Sequence, residues 1–312
     1  MFKKGEFLAY GCLFLTAVIW GISTPVIKYI LNFLNPWQFI FWRLLTASVI
    51  IIVPLIIVWH HLKISLKDIL KYLLIGFLGT PLTLIIFSFG LQKTSAVNTS
   101  IISTLSPILI ILGGVYFFRE KVSARKKWGI LLIISGTLVA LVGPMIKNGV
   151  IDKGSFLGDI AVIFAYLCWV AYSLLIKKEK KLNFFCLTAS SFVVGLLVSF
   201  GILLFSPKNV FSFEKITGNP LLTGSLVFVG IFSTVVAYFT YAIGISKIEA
   251  SKAVIFTYLQ PIFGIPVAIL LLKEKVDPIF WLGAGLIVIG VCICQFLGQK
   301  HLPVEFKPKT VI

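Results

Sequence analysis

The chain has 312 residues, of which 59% are hydrophobic and 12% charged, with a mean hydropathy of +1.05. A soluble domain carries about 25% charged residues because its surface must be wetted, so a water-soluble globule is excluded. The formal charge of +17 would suit nucleic acid in a soluble chain, but here the lysines and arginines fall between apolar blocks, and no nucleic-acid partner is expected.

The blocks are about 20 residues long, the length at which a helix crosses about 30 Å of hydrocarbon. They lack the polar–apolar alternation of barrel strands. In chain order they predict an all-α membrane protein of ten transmembrane helices, over 7–28, 36–59, 69–91, 95–118, 126–143, 157–176, 184–205, 221–244, 250–272 and 278–298. The first resembles a signal peptide, but its apolar run is too long and no small-residue cleavage site follows, so it reads as an uncleaved span. The connections near Gln92–Ser95 and Ser246–Glu249 are short enough to make the flanking helices antiparallel neighbours. Cys12, Cys168, Cys186, Cys292 and Cys294 all lie in apolar blocks, with no CxxC spacing and no nearby histidine, so no metal, disulfide or cofactor is expected.

Charge sets the orientation. With the N-terminus in the cytoplasm, 19 lysines and arginines fall in cytoplasmic segments and 8 on the opposite side. Cytoplasmic loops carry the basic excess, which predicts a multi-pass protein of the cell membrane with both termini cytoplasmic.

A shift of 154 residues superposes one part of the chain on another. Gly76 meets Gly230, Thr80 meets Thr234, Gly90 meets Gly244, Pro107 meets Pro261, Glu120-Lys121-Val122 meets Glu274-Lys275-Val276, and Gly136 meets Gly290. A shift of 149 brings Trp20 onto Trp169 and Ser23 onto Tyr172. The chain therefore reads as two five-helix repeats, 1–150 and 151–312, the second ending in a short cytoplasmic tail. Because five is odd, the second repeat is expected upside down relative to the first. Residues 117–122 (FFREKV) then face the cytoplasm and are followed by Arg125, Lys126 and Lys127, whereas 271–276 (LLKEKV) face outward and are balanced by Glu274 and Asp277. Inverted repeats are typical of secondary transporters; a duplicated bundle serving as channel or scaffold is the alternative.

A set of motifs runs in order along the chain: Trp20-Gly21 in the first span, Arg43 early in the second, Ser106-Pro107 and Gln260-Pro261 in the fourth and ninth, the E-K-V edges, the Gly-rich helices that follow, and Gly158-Asp159 before the sixth span. In this order and spacing they resemble the EamA-type members of the drug/metabolite transporter superfamily. The resemblance covers nearly the whole chain. It implies a carrier of small metabolites, often an exporter, and leaves the substrate open.

Polar residues within spans face a bundle interior or cavity. Ser95, Thr99, Ser103 and Ser106 share one helical face, as do their repeat counterparts Glu249, Ala253, Thr257 and Gln260. Pro107 and Pro261 would act as helix breaks or hinges, freeing the carbonyls of Ser103 and Thr257 for a ligand; back-bonded hydroxyls on merely bent helices are the alternative. Thr16, Trp20 and Ser23, Trp169 and Tyr172, Thr80 and Phe87, and Thr234, Tyr238 and Tyr241 complete the candidate lining of a central cavity. Plain packing is the alternative for the two tryptophans. Such a lining suits neutral or zwitterionic solutes, such as amino acids or aromatic and purine-like compounds, moved by alternating access. It suits phosphate esters poorly, since those need several cations. Arg43 would either bind a substrate carboxylate or hold loop carbonyls or Asp159. Asp159 is the candidate for proton coupling, and Glu120 and Glu274 read as helix-end or gate contacts. No catalytic motif is found among the spans, so an enzyme is not expected. A flippase of lipid or lipid-linked substrates on the same fold is the second reading. The expected partners are a small-molecule substrate and the lipid bilayer, and a homodimer is left open.

Overall fold

A computed structural model describes residues 4–61, 66–118, 122–148, 153–178, 183–205, 211–247 and 256–296, and every regular element among them is helical. Eight of the ten expected spans are helices long and apolar enough to cross a membrane; the other two, Gln260–Leu272 and Pro278–Cys294, are apolar but shorter within the described residues. The E-K-V copy at Glu120, the positions Glu249 and Ala253, and the tail beyond 296 lie outside those residues.

The first two spans are α1 (Lys4–Leu31) and α2 (Pro36–His61). The third runs as α3 (Leu66–Phe77), a π-helical turn over Leu78–Leu82, and α4 (Thr83–Lys93). The fourth is α5 (Ala96–Ile102) and α6 (Leu105–Phe118), followed by α7 (Ala124–Asn148), α8 (Lys153–Lys178) and α9 (Phe184–Leu204). After a one-turn α10 (Phe213–Thr217), the eighth span is α11 (Pro220–Phe228), a π-helical stretch over Val229–Val236, and α12 (Ala237–Lys247). The chain closes with α13 (Gln260–Leu272) and α14 (Pro278–Phe296). Several starts are capped by the polar residue the sequence supplies there. The side chains of Ser95, Asn183 and Asn219 each accept the N–H three residues on, and Pro220 sits just inside α11.

Two local features depart from smooth spans. The fourth span breaks at Ser103–Thr104, and a turn at Tyr258–Leu259 precedes α13, so each break lies just before Pro107 or Pro261. Proline offers no N–H to the preceding turn. The Ser103 carbonyl, expected to be free for a ligand, instead accepts the Ser106 N–H at 3.1 Å. The second feature is the pair of π-helical segments, one holding Thr80 and the other Thr234. A threonine hydroxyl reaches five residues back at each: Thr83, just after the first segment, to the Leu78 carbonyl at 2.9 Å, and Thr234, within the second, to the Val229 carbonyl at 2.8 Å.

Glycines set the closest helix crossings. A Cβ added at Gly283 would lie 2.5 Å from the Gly136 carbonyl oxygen, and one at Gly129 would lie 2.7 Å from that of Gly290. As numbers rise along α7 they fall along α14, so these two helices pack antiparallel, backbone against backbone. Gly90 meets Gly158 where α4 crosses α8, and Gly21 meets Gly264 where α1 crosses α13. The packing partners also recur in pairs. α4 lies on α8 as α12 lies on α1, and α6 lies on α8 as α13 lies on α1. Apolar side chains such as Val49, Val53, Ile56, Leu282 and Val288 are more than half exposed, the faces that hydrocarbon would cover.

The glycine crossing gives a direct test. Gly136→Ala and Gly283→Ala should each lower the thermal stability of the detergent-solubilised protein, by about 1–3 kcal/mol as for other overpacked sites. Gly285→Ala, on the same helix but with nothing within 4 Å of the added carbon, should be neutral or slightly stabilising. Fluorescence-detected melting of the three variants reads the difference.

Candidate functional site

The centre of the bundle is an aromatic cluster drawn from three helices. Trp20 of α1 and Trp169 of α8 meet edge to face with ring centres 6.0 Å apart. Tyr238 of α12 stands edge-on to both, at 5.6 and 5.8 Å, and Tyr241 lies 5.3 Å from Trp20. Tyr172 packs on Trp169 at 5.3 Å, one turn further along α8. The indole N–H of Trp20 donates to the Ser233 carbonyl at 3.1 Å. The expected chamber is thus filled by its own lining. The space left beside Trp20, among Leu13, Thr16, Tyr241, Phe256, Thr257 and Gln260, is about 10 Å³. That is roughly the room of one water, far below the several hundred Å³ of a ligand site. The central cavity predicted from the sequence is closed here because Trp20, Trp169 and Tyr238 interlock edge to face, with Tyr241 and Tyr172 packed at a tilt against the two indoles.

Several hydroxyls around the cluster have protein partners. Thr16 bonds to Thr240 at 2.8 Å and to the Cys12 carbonyl at 2.9 Å. Thr80 accepts from Ser191 at 2.9 Å. Ser23, Thr99 and Ser103 bond back to carbonyls of their own helices, the first to Ile19, the others to Ser95 and Ser100. Ser106 is buried beside Pro107, and Phe87 lies apart from the cluster, edge-on to Tyr166 at 6.3 Å.

Arg43 is buried on α2, against the π-helical stretch of the eighth span. Its Nε donates to Thr234 Oγ1 at 2.8 Å, its Nη2 reaches Ser233 Oγ at 3.5 Å, and its guanidinium lies 5.9 Å from the centre of the Phe39 ring. The expectation that Arg43 holds Asp159 is corrected: Asp159 accepts from the Thr94 hydroxyl and from the Asn98 amide at 3.2 Å. Ser233, which joins Trp20 to Arg43, was not singled out in the sequence. The one signal for it is its place beside Thr234.

One end of the bundle is closed by charges that converge on residues 91–98, the link between α4 and α5. Glu274 accepts the N–H groups of Ala96 and Val97 at 2.8 and 2.9 Å. Lys28 donates to the carbonyls of Leu91 and Gln92, each at 2.9 Å. Asp159 holds Thr94 and Asn98. Beside this network lies a cavity of about 450 Å³ lined by Ser95, Asn98, Pro144, Lys275, Asp277 and Phe280. Of the polar stripe expected in the fourth span, Ser95 borders it, and the expected aromatic lining does not reach it. Among the described residues there is no cluster of side chains fit to hold a metal ion.

Comparison with known proteins adds the following. The EamA-like transporter family matches residues 7–142 and 156–295. An uncharacterized transporter of Archaeoglobus fulgidus is 27% identical over 89% of this chain and 95% of its own. The uncharacterized transporter YetK of Bacillus subtilis is 25% identical over 93% of this chain and 87% of its own. A crystal structure covering 95% of this chain and all of its own superposes with a TM-score of 0.69 at 15% identity, a likeness of fold alone.

The loop between α13 and α14 carries a pH signature. Asp277 accepts the Ile279 N–H at 2.9 Å and pairs with Lys147 at 3.3 Å, which together hold its carboxyl below the usual carboxylate range. A depressed folded-state pKa stabilises above the unfolded value of about 3.9 and loses that contribution as pH falls through the folded value. The melting-temperature difference between Asp277→Asn and wild type should therefore be constant from about pH 5 to 8 and shrink below about pH 4.

Proposed function

The chain belongs to the EamA-like transporter family, and from that premise we propose that it is a secondary carrier moving small neutral or zwitterionic metabolites outward by alternating access. Its family and its relatives are transporters rather than enzymes. We read residues 1–150 and 151–312 as inverted five-helix repeats, oriented with both termini in the cytoplasm.

The observation that carries this reading is the meeting of Trp20 and Trp169, which hold equivalent positions in the two family-matched segments, at the middle of the bundle. The reading is supported by the antiparallel crossing of α7 and α14, equivalent helices in the two halves, and by the paired helix contacts around them. Two similar halves can exchange conformations, which gives two states of similar energy open to opposite sides. The closed state described above then lies between them, its rings parted when solute enters. Thr16, Ser23, Thr80, Thr99, Ser103, Ser106, Thr234, Thr257 and Gln260 stay in the proposal as hydroxyl and amide groups that such a parting would offer to solute. Glu274 and Lys28 latch the outer gate, beneath a vestibule formed by the 450 Å³ cavity.

The direct check is flux in liposomes holding the purified protein. Saturable exchange of labelled amino acids, nucleobases or aromatic cations is expected, and none for any of them would overturn the reading. Trp20→Ala and Trp169→Ala should cut flux by about tenfold or more while the proteins remain monodisperse. Degraded or aggregated variants would mark both as packing residues instead.

The latch is tested by labelling. In a background lacking the five native cysteines, Ser23→Cys should react with a membrane-impermeant maleimide about tenfold faster when Glu274 is also alanine, a shift of about 1.4 kcal/mol in the closed–open equilibrium. Asp159, the proposed coupling carboxylate, is tested by Asp159→Asn. Flux should persist but lose its response to a pH gradient, and a full response would remove that role.

A further inference from the structure

We infer that Arg43 anchors a single carboxylate on the transported solute; this deepens the carrier reading and rests on it. A guanidinium has five N–H donors. Arg43 directs one to Thr234 and a second, at long range, to Ser233, both neutral hydroxyls. No carboxylate among the described residues pairs with it, Asp159 and Glu274 being engaged at the α4–α5 link. The side chain is nonetheless only 4% exposed. A buried guanidinium without an anion costs several kcal/mol within a membrane, and it persists where a function needs it.

The position fits a solute. Ser233 joins the cation to the aromatic cluster: its hydroxyl faces Arg43 and its carbonyl holds the Trp20 indole. A solute whose anionic end replaced the long Ser233 contact would lay its body against Trp20, Trp169 and Tyr238 as the rings part. The fork of a guanidinium matches a carboxylate with two parallel hydrogen bonds.

Charge counting narrows the class further. Arg43 is the one cation among the described residues that is joined to this cluster, through Ser233. A neutral solute would leave it unpaired, and a phosphate dianion would bring a charge with no second cation to meet it. What remains is a monocarboxylate on an aromatic or apolar body: the zwitterionic amino acids of the carrier reading, together with simple monoanions, which widen that reading.

The test uses matched pairs that differ only at the carboxylate. Wild-type protein in liposomes is assayed for saturable flux of phenylacetate against phenylacetamide, and of phenylalanine against phenylalaninamide. Each acid is expected to be transported with a kcat/KM at least about tenfold above its amide. Arg43→Gln should reduce that ratio to below about threefold, and Arg43→Lys should retain part of it. Equal rates for acid and amide on wild type would overturn the anchor, as would an unchanged ratio in Arg43→Gln. Should Arg43→Gln fail to fold, the wild-type ratio decides alone. Saturable flux of a nucleobase or aromatic cation with none for either acid would overturn the anchor and leave the carrier standing. No saturable flux of any solute would overturn both.

Discussion

Within hydrocarbon a polar side chain has no water to fall back on, and hydroxyls, amides and charges on spanning helices are drawn to partners in the protein. That constraint organises this bundle. Thr99 and Ser103 turn back to their own helix, Thr16 reaches across to Thr240, and Thr80 to Ser191. The π-helical stretches belong to the same economy of partners. They widen the backbone where Thr83 and Thr234 each reach five residues back, and the second carries the Ser233 carbonyl that receives the Trp20 indole. Arg43 is where neutral partners come nearest to falling short of the demand.

The second organising element is the absence of side chains. With lipid tails as apolar as leucine, helices gain little by hiding hydrophobic surface from one another, so close backbone approach supplies the association. Gly129, Gly136, Gly283 and Gly290 bring α7 and α14 together in this way, and Gly90 with Gly158 does the same for α4 and α8. The aromatic cluster is the opposite case. There the rings hold the helices apart, and their edge-to-face and tilted contacts of 5–6 Å fill the volume between them.

Much of this was legible beforehand for a physical reason. Apolar length, proline and glycine are properties of short stretches, so eight of the ten span positions, the convergence of Trp20, Trp169, Tyr238 and Tyr241, and the breaks beside Pro107 and Pro261 could be read from the residues. What could not be read depends on the angles at which helices meet. Phe87 shares a helix with residues near the cluster yet points to Tyr166. Asp159 finds Thr94 and Asn98 rather than Arg43, because its end of α8 crosses the α4–α5 link. The break at Ser103–Thr104 satisfies the very carbonyl that a smoothly bent helix would have left free. Ser233 was hidden because half its contribution comes from its main chain, and a main-chain carbonyl has no letter of its own.

The same point bears on the link between α4 and α5. Lys28 and Glu274 grip it by the carbonyls of Leu91 and Gln92 and the amides of Ala96 and Val97. Nearly any amino acid offers these groups, and only proline takes an amide away. The keyhole is therefore cut in material that substitution hardly touches, while the key consists of two side chains on remote helix ends. Drift can rewrite the letters at Leu91, Gln92, Ala96 and Val97 and leave this fastening intact, provided that one lysine and one glutamate stay within reach, whereas Thr94 and Asn98 are held by their side chains.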